Sequence, residues 1–332
     1  MRLDALGRST AIAIVVLGAG VALSGCSAGS SSDPAAPPSE EPATFVIDQD
    51  FPDPDVLAVD GGYIAYATNS PGLNVQSATS NDLETWTVST DDMLPRLPAW
   101  ATPGRTWAPD VAETPGGGYI MYVTAEDAAT GKQCIGVATS ATAAGPFEPQ
   151  GTVPIVCPFD DGGAIDPATF TDADGARYLL WKNDGNCCGL DTWIQLSRLS
   201  DDGLSVVGEP TKLIKQTEPW EGALVEAPTL VEHDGTYVLL YSANNYGDDS
   251  YAIGVATAPT PAGPYTKEPA PLLSSGSSEG LYVGPGGQDV VSTPHGDELV
   301  FHSWDDNVVY RGMNVAALSW NGAIPSVEPP TR

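Results

Sequence analysis

Basic side chains are scarce in this chain. Its 332 residues carry 13 Lys+Arg against 43 Asp+Glu, a formal net charge of −30. Nucleic-acid binding needs a basic stripe, so that class of function is excluded. Anionic polymers are disfavoured as substrates on the same electrostatic ground, and neutral molecules remain compatible. Histidine is scarcer still, with only His233, His295 and His302. No paired C-x-x-C spacing accompanies them, which argues against a zinc site. No segment keeps a helical period, so strands must carry the fold. The one long apolar run, Ala11 to Leu23, is too short and wrongly flanked to span a membrane.

That run follows Arg2 and Arg8 and reads as an export signal. It ends in Leu23-Ser24-Gly25-Cys26, which resembles a bacterial lipobox. The resemblance implies cleavage before Cys26 and a diacylglyceryl group on its thiol. Ordinary secretion with an incidental cysteine is the alternative. The expected organisation is a lipoprotein signal peptide over 1–25, a disordered tether over 26–44 and one large domain over 45–328. The tether is Ser, Ala, Pro and Glu, with almost nothing to bury. The expected location is the outer face of the cell membrane, held there only by the lipid. The protein is expected to be a monomer. Outside the cytoplasm the remaining cysteines can oxidise. Of three pairings, Cys134–Cys157 with a vicinal Cys187–Cys188 bond is expected; free thiols at 187 and 188 are the alternative.

What the chain does have is internal repetition. Five blocks align: Asp53-Pro54-Asp55-Val56, Ala108-Pro109-Asp110-Val111, Asp166-Pro167-Ala168-Thr169, Glu226-Ala227-Pro228-Thr229 and Gly287-Gln288-Asp289-Val290. They recur every 60 residues or so, the signature of one supersecondary unit used repeatedly. Each block leads to a turn and a second stretch rich in β-branched and aromatic residues, such as Tyr63-Ile64-Ala65-Tyr66 and Tyr237-Val238-Leu239-Leu240-Tyr241. A third and a fourth stretch follow. With 36 Gly and 30 Pro to make turns, the pattern predicts an all-β fold: a five-bladed β-propeller with four-stranded antiparallel blades around a central channel. A β-sandwich would have no reason to space the blocks evenly.

In a propeller the first strand of each blade lines the axis. The first block position holds Asp53, Ala108, Asp166, Glu226 and Gly287. Three carboxylates and two small residues would then meet at one mouth. Crowded acids disfavour joint ionisation, so one is pushed towards its protonated form. A protonated acid facing an ionised base is the pair used in glycoside hydrolysis. Glu226, with the longer reach, is the expected acid; Asp53 is the expected base and Asp166 the expected modulator of Glu226. Asp110, two residues beyond that level, is expected to support the structure.

The pieces Phe51-Pro52-Asp53-Pro54-Asp55, Trp107-Ala108-Pro109-Asp110, Ile165-Asp166-Pro167-Ala168 and Val225-Glu226-Ala227-Pro228-Thr229 resemble those of glycoside hydrolase family 43. The resemblance implies an inverting enzyme on a five-bladed propeller, acting on arabinose- and xylose-containing polymers. It implies Asp53 as general base, Glu226 as general acid and Asp166 as pKa modulator. It also places Arg311 against the substrate, and His302 in the channel near water or a calcium ion. Structural readings of both stay open: a salt bridge for Arg311, a core histidine for His302. Trp107 is either a stacking surface or a core residue, and Trp220 is a candidate substrate wall. No cofactor is expected to be required. The segments beside Trp220 and Asn244 suggest closure of one side, hence exo release of α-L-arabinofuranosyl or β-D-xylosyl units. Endo-1,5-α-L-arabinanase action and a non-catalytic sugar-binding propeller are the alternatives.

Overall fold

The computed structural model describes residues 45–328. The expected signal peptide, Cys26 and the tether lie outside them. Runs of alternating and β-branched residues between glycine turns fold as hairpins, and successive hairpins form five antiparallel sheets. Blade 1 comprises β1 (Asp55–Val59), β2 (Gly62–Ala67), β3 (Gln76–Ser80) and β4 (Trp86–Val88). Blade 2 comprises β5 (Ala101–Glu113), β6 (Tyr119–Asp127), β7 (Gln133–Ser140) and β8 (Glu148–Gln150). Blade 3 comprises β9 (Ala164–Thr171), β10 (Arg177–Asn183), β11 (Trp193–Leu199) and β12 (Val206–Lys215). Blade 4 comprises β13 (Val225–His233), β14 (Thr236–Ala243), β15 (Ala252–Ala258) and β16 (Thr266–Lys267), with β17 (Leu273–Ser274) also pairing on β15. Blade 5 comprises β18 (Val283–Thr293), β19 (Gly296–Trp304), β20 (Arg311–Asn321) and β21 (Ile324–Val327). This is the five-bladed propeller that the repeat predicts.

Apolar side chains fill the seams between neighbouring blades. Tyr66 meets Met121 between blades 1 and 2, and Ile120 meets Leu179 between 2 and 3. Leu180 meets Leu239 between 3 and 4, Leu240 meets Phe301 between 4 and 5, and Val300 meets Ala65 across the closing seam. Buried apolar area of this kind is the main favourable term in folding. The segment before β1 also helps to close the ring. Val46 N–H donates to Met313 O (2.9 Å) and Phe51 N–H to Arg311 O (2.9 Å) on β20.

At the axis, one residue in or just before each first strand lies in the left-handed backbone region: Asp53 (φ 54°), Ala108 (42°), Asp166 (54°), Ala227 (47°) and Gly287 (57°). That conformation costs a non-glycine residue about 1–2 kcal/mol. Strain of this sort persists where the surroundings over-determine it, often at functional sites. Four of the five precede Pro54, Pro109, Pro167 and Pro228 or its equivalent turn, which corrects the sequence alignment in one blade. The counterpart of Asp53 in blade 4 is Ala227, and Glu226 lies one residue earlier. The β13–β14 register shifts between Glu226 and Thr229. The same shift recurs in blades 2, 3 and 5, so Glu226 stands at the position of Trp107, Ile165 and Gly286, one residue before the strained one.

Candidate active site

Each strained residue has a backbone N–H that needs a partner, and side chains supply them. Four of the five come from the second strand of the preceding blade or just beyond it. Thr68 Oγ1 accepts from Ala108 N–H (2.9 Å), Thr124 Oγ1 from Asp166 N–H (3.1 Å), Ser242 Oγ from Gly287 N–H (2.9 Å) and His302 Nδ1 from Asp53 N–H (3.1 Å). At Ala227 the acceptor is instead Asp166 Oδ2 (3.0 Å). The corresponding second-strand position in blade 3 is Lys182, which is fully buried. Its ammonium is thereby released for another task. It donates to Glu226 Oε2 (3.0 Å) and lies 3.5 Å from Asp184 Oδ1.

The three predicted carboxylates meet at one mouth of the channel, but in two different settings. Asp53 Oδ2 accepts from the Thr68 hydroxyl (2.7 Å), and Arg311 Nη1 lies 3.9 Å from Asp53 Oδ1. Burial alone would raise the Asp53 pKa. The Arg311 charge and the Thr68 hydroxyl outweigh burial and hold it well below the usual carboxylate range. His302 is fully buried, and burial followed by the Arg311 charge lowers its pKa, which favours the neutral ring. Its Nδ1 lone pair serves the Asp53 amide. The 3.3 Å approach of Asp53 Oδ1 to that nitrogen is then a close contact and not a second hydrogen bond.

On the other side, burial and then the Glu226 charge push the Asp166 carboxyl well above the ordinary range, with Lys182 opposing. Glu226 Oε1 accepts from the Tyr251 hydroxyl (2.8 Å). Lys182 loses solvation by burial, yet the Glu226 charge, with Asp184 nearby, holds it charged, its pKa raised. Two unlike carboxyl environments therefore share one opening, one favouring the ionised form and one the proton.

Below this level lies a second group of acids. Asp55 Oδ2 accepts from Val111 N–H (2.9 Å), Asp110 Oδ2 from Thr169 N–H (2.9 Å) and Asp289 Oδ2 from Val56 N–H (2.9 Å). Each carboxyl stitches its blade to the next. Burial raises Asp110 to about 6 and Asp289 to about 7. Burial, then the Asp110 and Asp289 charges, raises Asp55 well above its usual value. Asp53 and Asp166 above, with Asp55, Asp110 and Asp289 below, line a narrow axial cavity of about 60 Å³.

The accessory residues divide. Arg311 joins the site and lies over the rings of Tyr246 (5.3 Å) and Trp304 (5.7 Å). His302 joins it through Asp53. Trp107 is half-buried beside Ala108 and pairs with Thr124 on β6. Trp220 is half-buried. It stacks on Tyr241 (6.0 Å) and covers Gly254, where a Cβ would stand 2.7 Å from its ring. Asn244 is likewise used internally, donating from Nδ2 to Trp220 O (3.0 Å).

Calcium gains no support. Among the described residues no group of three or more His, Cys, Asp or Glu could hold a metal ion. With Nδ1 accepting from an amide, the His302 Nε2 carries the hydrogen and offers no lone pair. Cysteines pair as Cys134–Cys157 and Cys187–Cys188, and the Lys132 ammonium lies 2.7 Å from Cys188 Sγ.

Sequence reasoning missed Lys182, Tyr251, Thr68 and Tyr246. Lys182 had a signal: a cation in the apolar run Leu179-Leu180-Trp181-Lys182, in a chain poor in cations. The other three had none, because hydroxyls and tyrosines are common at strand ends and in the loops between them.

Comparison with known proteins agrees with this architecture. The family model for glycosyl hydrolases family 43 matches residues 43–320. The chain is 28% identical over 276 residues to the extracellular endo-alpha-(1->5)-L-arabinanase 1 of Bacillus subtilis, covering 78% of this chain and 81% of that protein. It is 27% identical over 270 residues to beta-D-galactofuranosidase xynD of Aspergillus niger, covering 76% and 73%. The crystal structure of a thermostable family-43 glycoside hydrolase superposes with a TM-score of 0.75 at 29% identity, over 86% of this chain and 94% of that one. The match over most of the chain makes it a member of glycosyl hydrolases family 43, and a glycoside hydrolase.

Proposed function

We propose that the chain hydrolyses pentosyl linkages in arabinose- or xylose-containing polysaccharides with inversion at the anomeric carbon. The observation that carries this reading is the pair of opposed carboxyl environments in one mouth. Asp53, held ionised by Arg311 and Thr68 against the effect of burial, takes a proton from the attacking water. Glu226 delivers a proton to the leaving-group oxygen as the glycosidic bond breaks. Asp166 and Glu226 share one proton, held on Asp166 in the free site; it passes to Glu226 before the bond breaks, leaving Asp166 ionised. As Glu226 releases it, negative charge grows 3.0 Å from the Lys182 ammonium. Stabilisation of charge that appears only in the transition state is the kind that accelerates a reaction.

Support for the substrate class comes from the arabinanase relative and from the sequence resemblance. Exo action is not carried forward, because endo-acting and exo-acting arabinanases both stand among the similar proteins. The test is incubation with aryl arabinofuranoside, aryl xyloside and linear arabinan, with NMR of the first-formed anomer. Inversion and pentose release are expected; a retained anomer, or no hydrolysis of any of the three, rejects the reading. Asp53→Ala is expected to abolish turnover on every substrate. Glu226→Ala is expected to retain it only with very good leaving groups.

We also infer export with a lipid on Cys26, a reading supported by the two disulfides and the Leu23-Ser24-Gly25-Cys26 sequence. The full chain should partition into detergent, and Cys26→Ala should not.

A further inference from the structure

The large apolar and aromatic side chains of this fold are mostly buried: Tyr66, Tyr122, Tyr241 and Tyr282 are at most 1% exposed. Tyr246 is 53% exposed. A single exposed aromatic ring is unremarkable on a surface, but this one is fixed and adjoins the site. It sits between β14 and β15 on a loop held at several points. Trp304 Nε1 donates to Tyr246 O (2.8 Å), and Asn245 Nδ2 donates to Asp248 Oδ2 (2.6 Å). Gly284 lets the loop approach blade 5, since a Cβ there would stand 2.5 Å from Asp248 O.

The loop is joined to both sides of the acid–base pair. Its far end enters Tyr251, which donates to Glu226. Its ring lies under the Arg311 guanidinium, which also reaches Asp53. Those contacts put the Tyr246 ring within roughly 10 Å of the Asp53 carboxylate, allowing one C–N bond inside the guanidinium. This is the scale of a sugar unit next to the one being cleaved. Tyrosine offers a large, rigid, amphipathic contact surface at low entropic cost. A surface held in place before binding loses less on association.

We propose that Tyr246 is the stacking platform for a second sugar unit of the substrate, held in position by Arg311 and Trp304. The inference rests on the saccharide reading of the site but not on its catalysis, and binding alone tests it. In a Glu226→Gln background, calorimetry compares arabinose with linear arabino-oligosaccharides, and xylose with xylo-oligosaccharides. Tyr246→Ala is expected to weaken the oligosaccharide roughly tenfold more than the monosaccharide, a difference of about 1.4 kcal/mol. Tyr246→Phe, which keeps the ring, should restore the oligosaccharide affinity. Equal weakening of both ligands would mean that Tyr246 only positions Arg311, and overturns the proposal. No weakening, or no oligosaccharide binding by the Glu226→Gln chain, overturns it too. A wild-type chain that binds oligosaccharides yet hydrolyses none counts against the glycosidase reading alone.

Discussion

Asp289→Asn should stabilise this protein, and only above acidic pH. The carboxyl lies between blades 5 and 1, accepting from Val56 N–H (2.9 Å) and Val290 N–H (2.7 Å). Burial raises its pKa from 3.8 to about 7. The sign follows from proton counting. Between these two values the folded chain keeps a proton that the unfolded chain has lost, so stability falls as pH rises. Below the lower value both states are protonated and nothing is lost. Above the upper value the cost is complete, up to about 4 kcal/mol at about 1.4 kcal/mol per pK unit. Asparagine keeps an oxygen for Val56 N–H and carries no charge. Thermal unfolding at pH 4 should therefore show little difference from wild type. At pH 8 the variant should melt higher, by on the order of 8 °C for a chain of this size. Asp201→Asn, which removes one exposed charge, controls for relief of the net charge of −30. An advantage equal at pH 4 and pH 8, or matched by Asp201→Asn, would refute the assignment of the cost to the buried carboxyl.

Two other perturbations address the mouth of the channel. Lys182→Met removes the charge that opposes the rise of Asp166, so the basic limb of the kcat/KM profile should move to higher pH while kcat falls; an unmoved limb means that Lys182 does not tune the pair. Gly287→Ala should fold with modest loss but cost on the order of 100-fold in kcat, because the new Cβ would stand 2.6 Å from both Asp53 Oδ1 and the His302 ring; activity within a factor of two of wild type would show that the Asp53–His302 contact is not needed.

The blade count, the strand pattern and the two aspartates at the channel mouth were all legible in the chain itself. Repeats that each form one hairpin pair cannot bury their faces alone, and they show that need as a period in the sequence. Asp53 and Asp166 could be found because each opens its block with a proline behind it, in a backbone conformation that the repeat shares. Glu226 was found with its alignment displaced by one residue. The proline that follows Asp53, Ala108, Asp166 and Ala227 carries the true register in the sequence itself; aligning on the acid rather than on the proline causes the displacement. Lys182, Tyr251 and Arg311 take their roles from partners far away in the chain. Lys182 is a buried cation only because Glu226 of the next blade faces it, and Arg311 acts on Asp53 only because the ring closes. Local periodicity therefore determined the architecture and the level at which acids gather. The choice of which carboxyl stays ionised and which keeps its proton came from burial and from charges brought across blade seams, and those exist only in the folded ring.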